Sequence, residues 1–358
     1  MTTVEAHINL PALRHNLEQV KSLIPSSKIM AVIKANAYGH GLIRVAQTLI
    51  DSDGFAVARL DEALSLRSAG IKKPIIILEG FTDADDLQIM ALHALQVVVH
   101  HSFQLEILES TPLKTSIDVW LKIDSGMHRL GIKPGLAQSA WWRLQDAESV
   151  ATVRLMTHLA SADELDSQQT GKQISCFQAA TSGLQGDRSI ANSAGIIAWP
   201  ESCSGWARPG IMIYGVSPFQ DKSAADFSLI PAMTLKSKLI AINHFNEGDA
   251  IGYGATWVCP ESMPVGVIAC GYGDGYPRHA QSGTPVLINN QRARVIGRVS
   301  MDTVCVDLRG INDAKIGDKV TLWGEGLPVE EVARHSSTIA YELLCGVTQR
   351  VRFIDELR

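Results

Sequence analysis

From residue 28 to about residue 215 the chain alternates short apolar runs, rich in β-branched residues, with amphipathic stretches. The runs Ile29–Ile33, Gly54–Ala58, Pro74–Glu79, Gln96–His100, Asp118–Ile123, Val153–His158, Ser189–Asn192 and Gly210–Tyr214 predict eight strands. Between them, Leu42–Ile50, Leu60–Ala69, Ala84–Ala91, Ser102–Glu109 and Gln168–Leu184 predict helices, several opened by an aspartate or serine able to cap free backbone N–H groups. Strands and helices in this alternation predict an α/β fold, a closed (β/α)8 barrel of the TIM type. A doubly wound open sheet is the competitor, but the glycine-rich dinucleotide fingerprint it would carry after the first strand is missing.

After Ser217-Pro218-Phe219 the rhythm changes, and no long amphipathic helix recurs until Pro328–His335. Met233–Ile242, Pro264–Cys270, Pro285–Ile288, Arg294–Val299, Thr303–Leu308 and Lys319–Leu322 read as strands divided by turns. The expected organisation is therefore a barrel over residues 1–230 and a C-terminal, mostly-β domain over residues 231–358. There is no internal repeat beyond the β/α alternation.

Composition narrows the function classes. A hydrophobic fraction of 46% with 19% charged residues suits a folded chain with a large core, and 358 residues leave room for a barrel and a smaller domain. A formal charge of -5, with lysines and arginines scattered, offers no field for a phosphate backbone, so no nucleic-acid partner is expected. The opening Met1–His7 has no basic then apolar leader, and no apolar run approaches the roughly 18 residues of a membrane span. A cytoplasmic protein without a membrane partner is the expectation. Cys176, Cys203, Cys259, Cys270, Cys305 and Cys345 show no metal-ligand spacing, which favours buried, unreactive thiols and no metal site.

Barrel enzymes place their chemistry at the carboxyl ends of the strands, where loops vary without disturbing the packed interior. Lys34 follows the first predicted strand, Lys122 and Asp124 lie at the end of the fifth, His158 ends the sixth, Asn192 and Ser193 the seventh, and Arg208-Pro209-Gly210 borders the eighth. A lysine at such a strand end is partly desolvated, which lowers its pKa and suits imine formation; a surface lysine snorkelling from the barrel mouth would look the same. The small residues of Asn192–Gly195 and Arg208–Ile211 suit phosphate binding through backbone N–H groups, or simply shape turns. His158 reads equally as a core histidine. Ile251–Gly254, Gly271–Tyr276 and Ser300–Asp302 in the second domain read as hairpin turns or as loops presenting aromatic groups.

Taken together, Val32-Ile33-Lys34-Ala35-Asn36-Ala37-Tyr38-Gly39-His40-Gly41, Asp124-Ser125-Gly126-Met127-His128-Arg129-Leu130-Gly131, Arg208-Pro209-Gly210-Ile211, Gly252-Tyr253-Gly254 and Gly271–Pro277 closely resemble the alanine racemases, over nearly the whole chain. That resemblance implies interconversion of L- and D-alanine on pyridoxal 5'-phosphate, supplying D-alanine for peptidoglycan or serving alanine catabolism. It implies that Lys34 carries the cofactor as an imine and then acts as the base on the D-alanine face, with Tyr253 as the base on the L-alanine face. Two opposed bases are needed because a planar carbanion is reprotonated to the mirror form only from the other side. His158 would hydrogen-bond both Tyr253 and Arg208, and Arg208 would face the cofactor ring nitrogen. Tyr38, Ser193, the N–H groups of Gly210 and Ile211, and Tyr341 match the phosphate-binding positions. Arg129 and the Met301 backbone match the substrate-carboxylate positions, and Lys122 matches a lysine often carbamylated to orient that arginine. Tyr272, Arg278, Arg298 and Asp163 match a narrow entrance corridor. Because the family's Tyr253 and Met301 equivalents reach into the neighbouring subunit, a head-to-tail homodimer with composite sites is implied.

The rivals are another barrel-type pyridoxal enzyme, either a racemase acting on serine or larger residues or an amino-acid decarboxylase, from which the Arg208 segment argues away, and a non-catalytic pyridoxal-phosphate carrier, which would need neither Tyr253 nor the second domain. A phosphosugar barrel enzyme would carry no lysine-linked cofactor at all.

Overall fold

The computed structural model describes residues 4–357. The chain divides into two compact units: Leu17–Ala37 with Gly41–Ile213, and the segment through Asn16 with Tyr38–His40 and the chain from Tyr214 onward.

The first unit is a closed barrel of eight parallel strands, β2 (Lys28–Val32), β3 (Gly54–Val57), β4 (Ile75–Ile77), β5 (Gln96–Val99), β6 (Ile117–Lys122), β7 (Val150–Met156), β8 (Arg188–Ser189) and β9 (Trp206–Ala207). The barrel forms because strands covered on both faces must be apolar throughout, as at Ile75–Ile77, where every residue is buried. The strands also carry a partly exposed polar network: Asp118 on β6 accepts from Thr152 Oγ1 (2.6 Å) and Gln96 Nε2 (3.0 Å) and pairs with Arg154 Nη1 at 3.1 Å. The Arg154 guanidinium in turn lies over the fully buried Trp120 ring, 5.6 Å from its centroid.

Seven of the eight predicted strand runs overlap observed strands. The eighth does not: Gly210–Tyr214 was expected as a strand, yet Ile211–Tyr214 is a 3-10 turn and the closing strand is Trp206–Ala207. The cause is local. Ile211–Tyr214 is buried and apolar, so its hydrophobicity mimics a strand, whereas β9 is two residues long and follows a polar loop. β9 nevertheless completes the ring by pairing Trp206 with Lys28 and Ala207 with Ile29 of β2.

The second unit contains an eight-stranded sheet ordered β13-β16-β15-β14-β17-β10-β1-β18. Its members are β1 (Glu5–Asn9), β10 (Met233–Phe245), β13 (Met263–Ile268), β14 (Pro285–Ile288), β15 (Gln291–Val295), β16 (Val304–Asp307), β17 (Lys319–Trp323) and β18 (Arg352–Glu356). A hairpin of β11 (Ala250–Ile251) and β12 (Trp257–Val258) stands apart from it. β10 is long enough to serve three partners: Leu235–Lys238 pair with β17, Met233–Lys236 with β1, and Leu239–Phe245 with β13. That last pairing turns six antiparallel strands into a ring. β14 and β15 are joined by Asn289-Asn290, both at positive φ (48° and 65°), the two-residue turn whose twist matches a hairpin.

The sequence missed β1 and β18. β1 lies in the segment read as part of the first domain, but it pairs antiparallel with β10 and parallel with β18 in the second unit's sheet. Among the described residues, no helix is long and apolar enough to cross a membrane. The thiols are not uniformly buried: Cys259 and Cys270 are, but Cys345 is exposed at the end of the helix Ala340–Cys345.

Candidate active site

The carboxyl ends of the barrel strands gather the charged residues the sequence singled out. Lys34 lies two residues past β2 and is partly buried; Lys122 is the last residue of β6; His158 lies two residues past β7; Arg208 immediately follows β9. Arg208 is buried, and its guanidinium donates to Ser189 Oγ (2.5 Å), Thr157 O (2.5 Å) and His158 Nδ1 (3.3 Å). Burial lowers its pKa to about 10, which leaves it protonated at neutral pH. Ser189 and Thr157 were not singled out from sequence; Ser189 ends β8 and Thr157 immediately follows β7, and only the fold brings them to Arg208.

Because Arg208 can only donate, His158 Nδ1 must be the acceptor. The imidazole pKa is held well below its ordinary value, first by burial and then by Arg208, Lys122, Arg129 and Lys34. His158 is therefore neutral with its proton on Nε2, leaving an N–H donor on the opposite side of the ring.

Arg129 reaches this cluster through loop geometry. Asp124 Oδ1 accepts from the N–H groups of Gly126 (3.2 Å) and His128 (2.9 Å), and the chain returns so that Ile132 N–H donates to Lys122 O at 2.8 Å. Gly131, at φ 145°, is required there: a Cβ would sit 2.4 Å from Asp124 N. Lys122 is buried, and its pKa falls from the ordinary 10.5 to about 8, through burial first and then Arg208, Arg129 and Lys34, with Asp124 opposing. The unfolded chain binds a proton on Lys122 that the folded chain releases between about pH 8 and pH 10.5, so this residue costs stability below pH 8 and the cost fades as pH rises. Lys122→Met is expected to stabilise the ligand-free chain at pH 7 by up to about 3 kcal/mol, with little gain left at pH 10.5. Urea midpoints of both proteins at the two pH values check this.

The loops after β8 and β9 are tied together by small residues. Asn192 caps the helix Ser193–Ala198 by accepting from Gly195 N–H (2.9 Å), and Ser193 Oγ takes the N–H groups of Gly210 (2.9 Å) and, at 3.5 Å, Met212.

The residues after Lys34 adopt an uncommon conformation. Ala35, Asn36, Ala37 and Tyr38 all lie at φ between 51° and 54°, a left-handed turn built from non-glycine residues. Each such residue costs about 1–2 kcal/mol, so the surrounding structure must hold the turn in place. Asn36 does part of this, its carbonyl accepting from Gly41 N–H and its side chain from Leu42 N–H, both at 2.9 Å.

Within the second unit, Tyr38 stacks on Tyr214 (centroids 4.8 Å apart) and approaches Tyr341 at 5.8 Å. Burial, then Tyr341 and Cys345, push the Tyr38 phenol well above its ordinary pKa, so it stays a neutral hydrogen-bond donor. Tyr253 stands on the turn between β11 and β12 and is 70% exposed. The Arg298 guanidinium borders the same turn, 3.3 Å from where a Cβ on Gly254 would lie. Tyr272 and Met301, also exposed, are carried by two loops bound together: Tyr272 N–H donates to Ser300 O (3.1 Å) and Gly273 N–H to Met301 O (2.9 Å). Arg350 reinforces them, pairing with Asp302 at 2.6 Å and Asp274 at 3.4 Å. Arg278 and, on the barrel unit, Asp163 are exposed.

Fold and site together define a class: a barrel enzyme whose strand ends carry a cationic cluster around a lysine, beside loops joined by a serine and a glycine. Comparison with known proteins names the family. Residues 8–218 match the model of the alanine racemase N-terminal domain and residues 232–354 that of the C-terminal domain. The alanine racemases of Nitrosococcus oceani and Vibrio cholerae are 53% and 51% identical to this chain, each alignment covering 98% of it and 99% and 98% of the relative. The crystal structure of the biosynthetic alanine racemase from Pseudomonas aeruginosa superposes with a TM-score of 0.97 at 42% identity, covering 99% of this chain and all of that one. The chain belongs to the alanine racemase family.

Proposed function

We propose that this protein interconverts L- and D-alanine with pyridoxal 5'-phosphate held at Lys34. The observation that carries the reading is the strand-end set itself: Lys34, Lys122 and the buried Arg208 lie at barrel strand ends, Arg208 donates to Nδ1 of the half-buried His158 at 3.3 Å, and these cations with Arg129 hold that imidazole neutral. Such a concentration of positive charge demands an anionic occupant. A phosphate at Ser193 and the Gly210 and Ile211 N–H groups, with Tyr38 and Tyr341 assigned to it by the family pattern, and a phenolic oxygen at Arg129 fit those donors.

Pyridoxal phosphate, when bound, supplies an electron sink that acidifies the substrate Cα–H. The chain supplies the rest. Lys34 Nζ anchors the cofactor and, once released, exchanges the α-proton on the D-alanine face. Tyr253 of the partner subunit serves the L-alanine face, and a phenol needs help for that, its ordinary pKa being about 10. The Nε2–H of neutral His158 provides it by donating to the phenolic oxygen and stabilising its anionic form. Arg208, always a donor, would face the cofactor ring nitrogen and leave it unprotonated, restraining side reactions. Arg129 and the Met301 backbone take the substrate carboxylate, while Tyr272, Arg278, Arg298 and Asp163 narrow the approach to a substrate the size of alanine.

Lys122, with its pKa near 8, has the neutral amine fraction that adds carbon dioxide, losing a proton to give a carbamate whose negative charge would orient Arg129. The exposed Tyr253, Tyr272 and Met301 support a head-to-tail homodimer in which each second unit completes its partner's site. A cytoplasmic supply of D-alanine for peptidoglycan is the role proposed, with L-alanine recovery in catabolism as the reverse use.

The test is incubation of the cofactor-loaded protein with each alanine enantiomer in deuterated water. Loss of optical rotation together with α-deuteration of both enantiomers is expected. Unchanged rotation without deuteration, or release of carbon dioxide, would overturn the reading.

A further inference from the structure

Glu62 has no part in the machinery described so far, yet its carboxylate ends one residue from Lys34. Oε1 accepts from the N–H of Ala35 at 2.6 Å, while Oε2 accepts from Ala58 N–H at 2.9 Å and Arg59 N–H at 3.2 Å. One side chain thereby joins two adjacent strand-end loops, the one after β2 that carries Lys34 and the one after β3 that opens the helix Leu60–Ser68. Its place in the helix explains the second half of this contact: Glu62 is the third helical residue and reaches back to cap the N-terminal backbone. Helix capping alone does not explain the first half. Ala35 belongs to a different β/α unit, and its N–H is the first donor of the left-handed turn Ala35–Tyr38.

A left-handed turn of non-glycine residues persists only where its surroundings over-determine it. The internal bonds Ala37 N–H to Ile33 O and Gly41 N–H to Asn36 O hold its body, and the Ala35 N–H, next to the lysine, is held by Glu62. A carboxylate is suited to this because a charge-assisted bond to a backbone N–H is shorter and stronger than a neutral one.

We infer that Glu62 is a positioning residue for Lys34, locking the backbone of the left-handed turn so that the lysine amine is presented for capture of an aldehyde cofactor. The inference rests on the proposed function for its chemical readout, and on backbone geometry alone for its physical one.

Three variants of the full chain separate this role from general stability. Glu62→Gln keeps the shape but has one acceptor oxygen for two loops and no charge. Glu62→Ala removes both links. Ser65→Gly weakens the same helix on its exposed face without touching the carboxylate. Two quantities are measured: hydrogen exchange of the backbone amides of residues 34–41, and the rate at which cofactor-free protein acquires the borohydride-sensitive absorption of lysine-bound pyridoxal phosphate. In Glu62→Gln and Glu62→Ala, exchange at residues 34–41 is expected to quicken about tenfold or more and cofactor capture to slow by about the same factor, the effect of losing one charge-assisted bond. Ser65→Gly is expected to lower the melting temperature while leaving both quantities at wild-type values. Wild-type exchange at residues 34–41 in Glu62→Gln, or the same acceleration in Ser65→Gly, would overturn the inference. Wild-type protein that captures no cofactor would instead sink the proposed function, and the exchange measurement would still decide the role of Glu62.

Discussion

Lys34→Ala is expected to lose racemisation by at least about 10⁴-fold, the scale on which removal of a covalent catalyst acts. It is also expected to lose the borohydride-sensitive absorption of lysine-bound cofactor. On the proposed mechanism two roles vanish together, the anchor and one of the two bases, so a small external amine should restore activity only in part and with a bias. Racemisation at more than a tenth of the wild-type rate would remove Lys34 from the centre of the mechanism. The fold should survive, because Lys34 is only partly buried and lies outside β2.

Tyr253→Phe is expected to separate the two enantiomers. On the proposed two-base mechanism, loss of the phenol removes the base on one face, so α-proton exchange from L-alanine should fall by about 10²- to 10⁴-fold, the usual contribution of a positioned acid–base group. Exchange from D-alanine, which depends on Lys34, should fall far less. Cofactor content should match wild type, since Tyr253 stands 70% exposed on the second unit. Single-turnover deuterium exchange from each enantiomer makes the comparison, and equal losses on both faces would defeat the two-base assignment. Stability gives no rival explanation, because a substitution at so exposed a position leaves the core untouched.

Much of the barrel was legible because parallel strands buried on both faces advertise themselves as apolar runs, and helices between them advertise a different period. Ile75–Ile77 and Gln96–Val99 are read almost directly. What the pattern could not give was closure. β8 and β9 are two residues each, too short for periodicity to register, and the longer buried run Ile211–Tyr214 drew the eighth strand to the wrong place. Lys34, Lys122 and His158 were legible by their positions at strand ends, whereas Arg208 was read as leading into a strand that does not form and instead follows β9. Their electrostatics were not legible, because the depression of Lys122 and His158 depends on residues as much as 124 positions away in sequence, the separation of His158 from Lys34. Glu62 was hidden for another reason: in sequence it is an ordinary acidic residue in the first turn of a helix, and only the packing of neighbouring loops brings Ala35 against it.

The pairing of β1 with β18 sets an order of events during synthesis. His7 Nδ1 meets Glu356 Oε1 at 2.8 Å across a separation of 349 residues, and the parallel register Glu5↔Arg352 to Asn9↔Glu356 spans the whole of both strands. A ribosome exposes the first of these strands long before the second, so β1 must wait, unpaired on that edge, until almost the entire chain has emerged. The barrel's own strands have no such dependence, each pairing with the next along the chain except for the closing pair of β9 with β2. Nascent chains halted between residues 245 and 352 should therefore hold β1 against β10 on one edge only, with its β18 edge still unpaired.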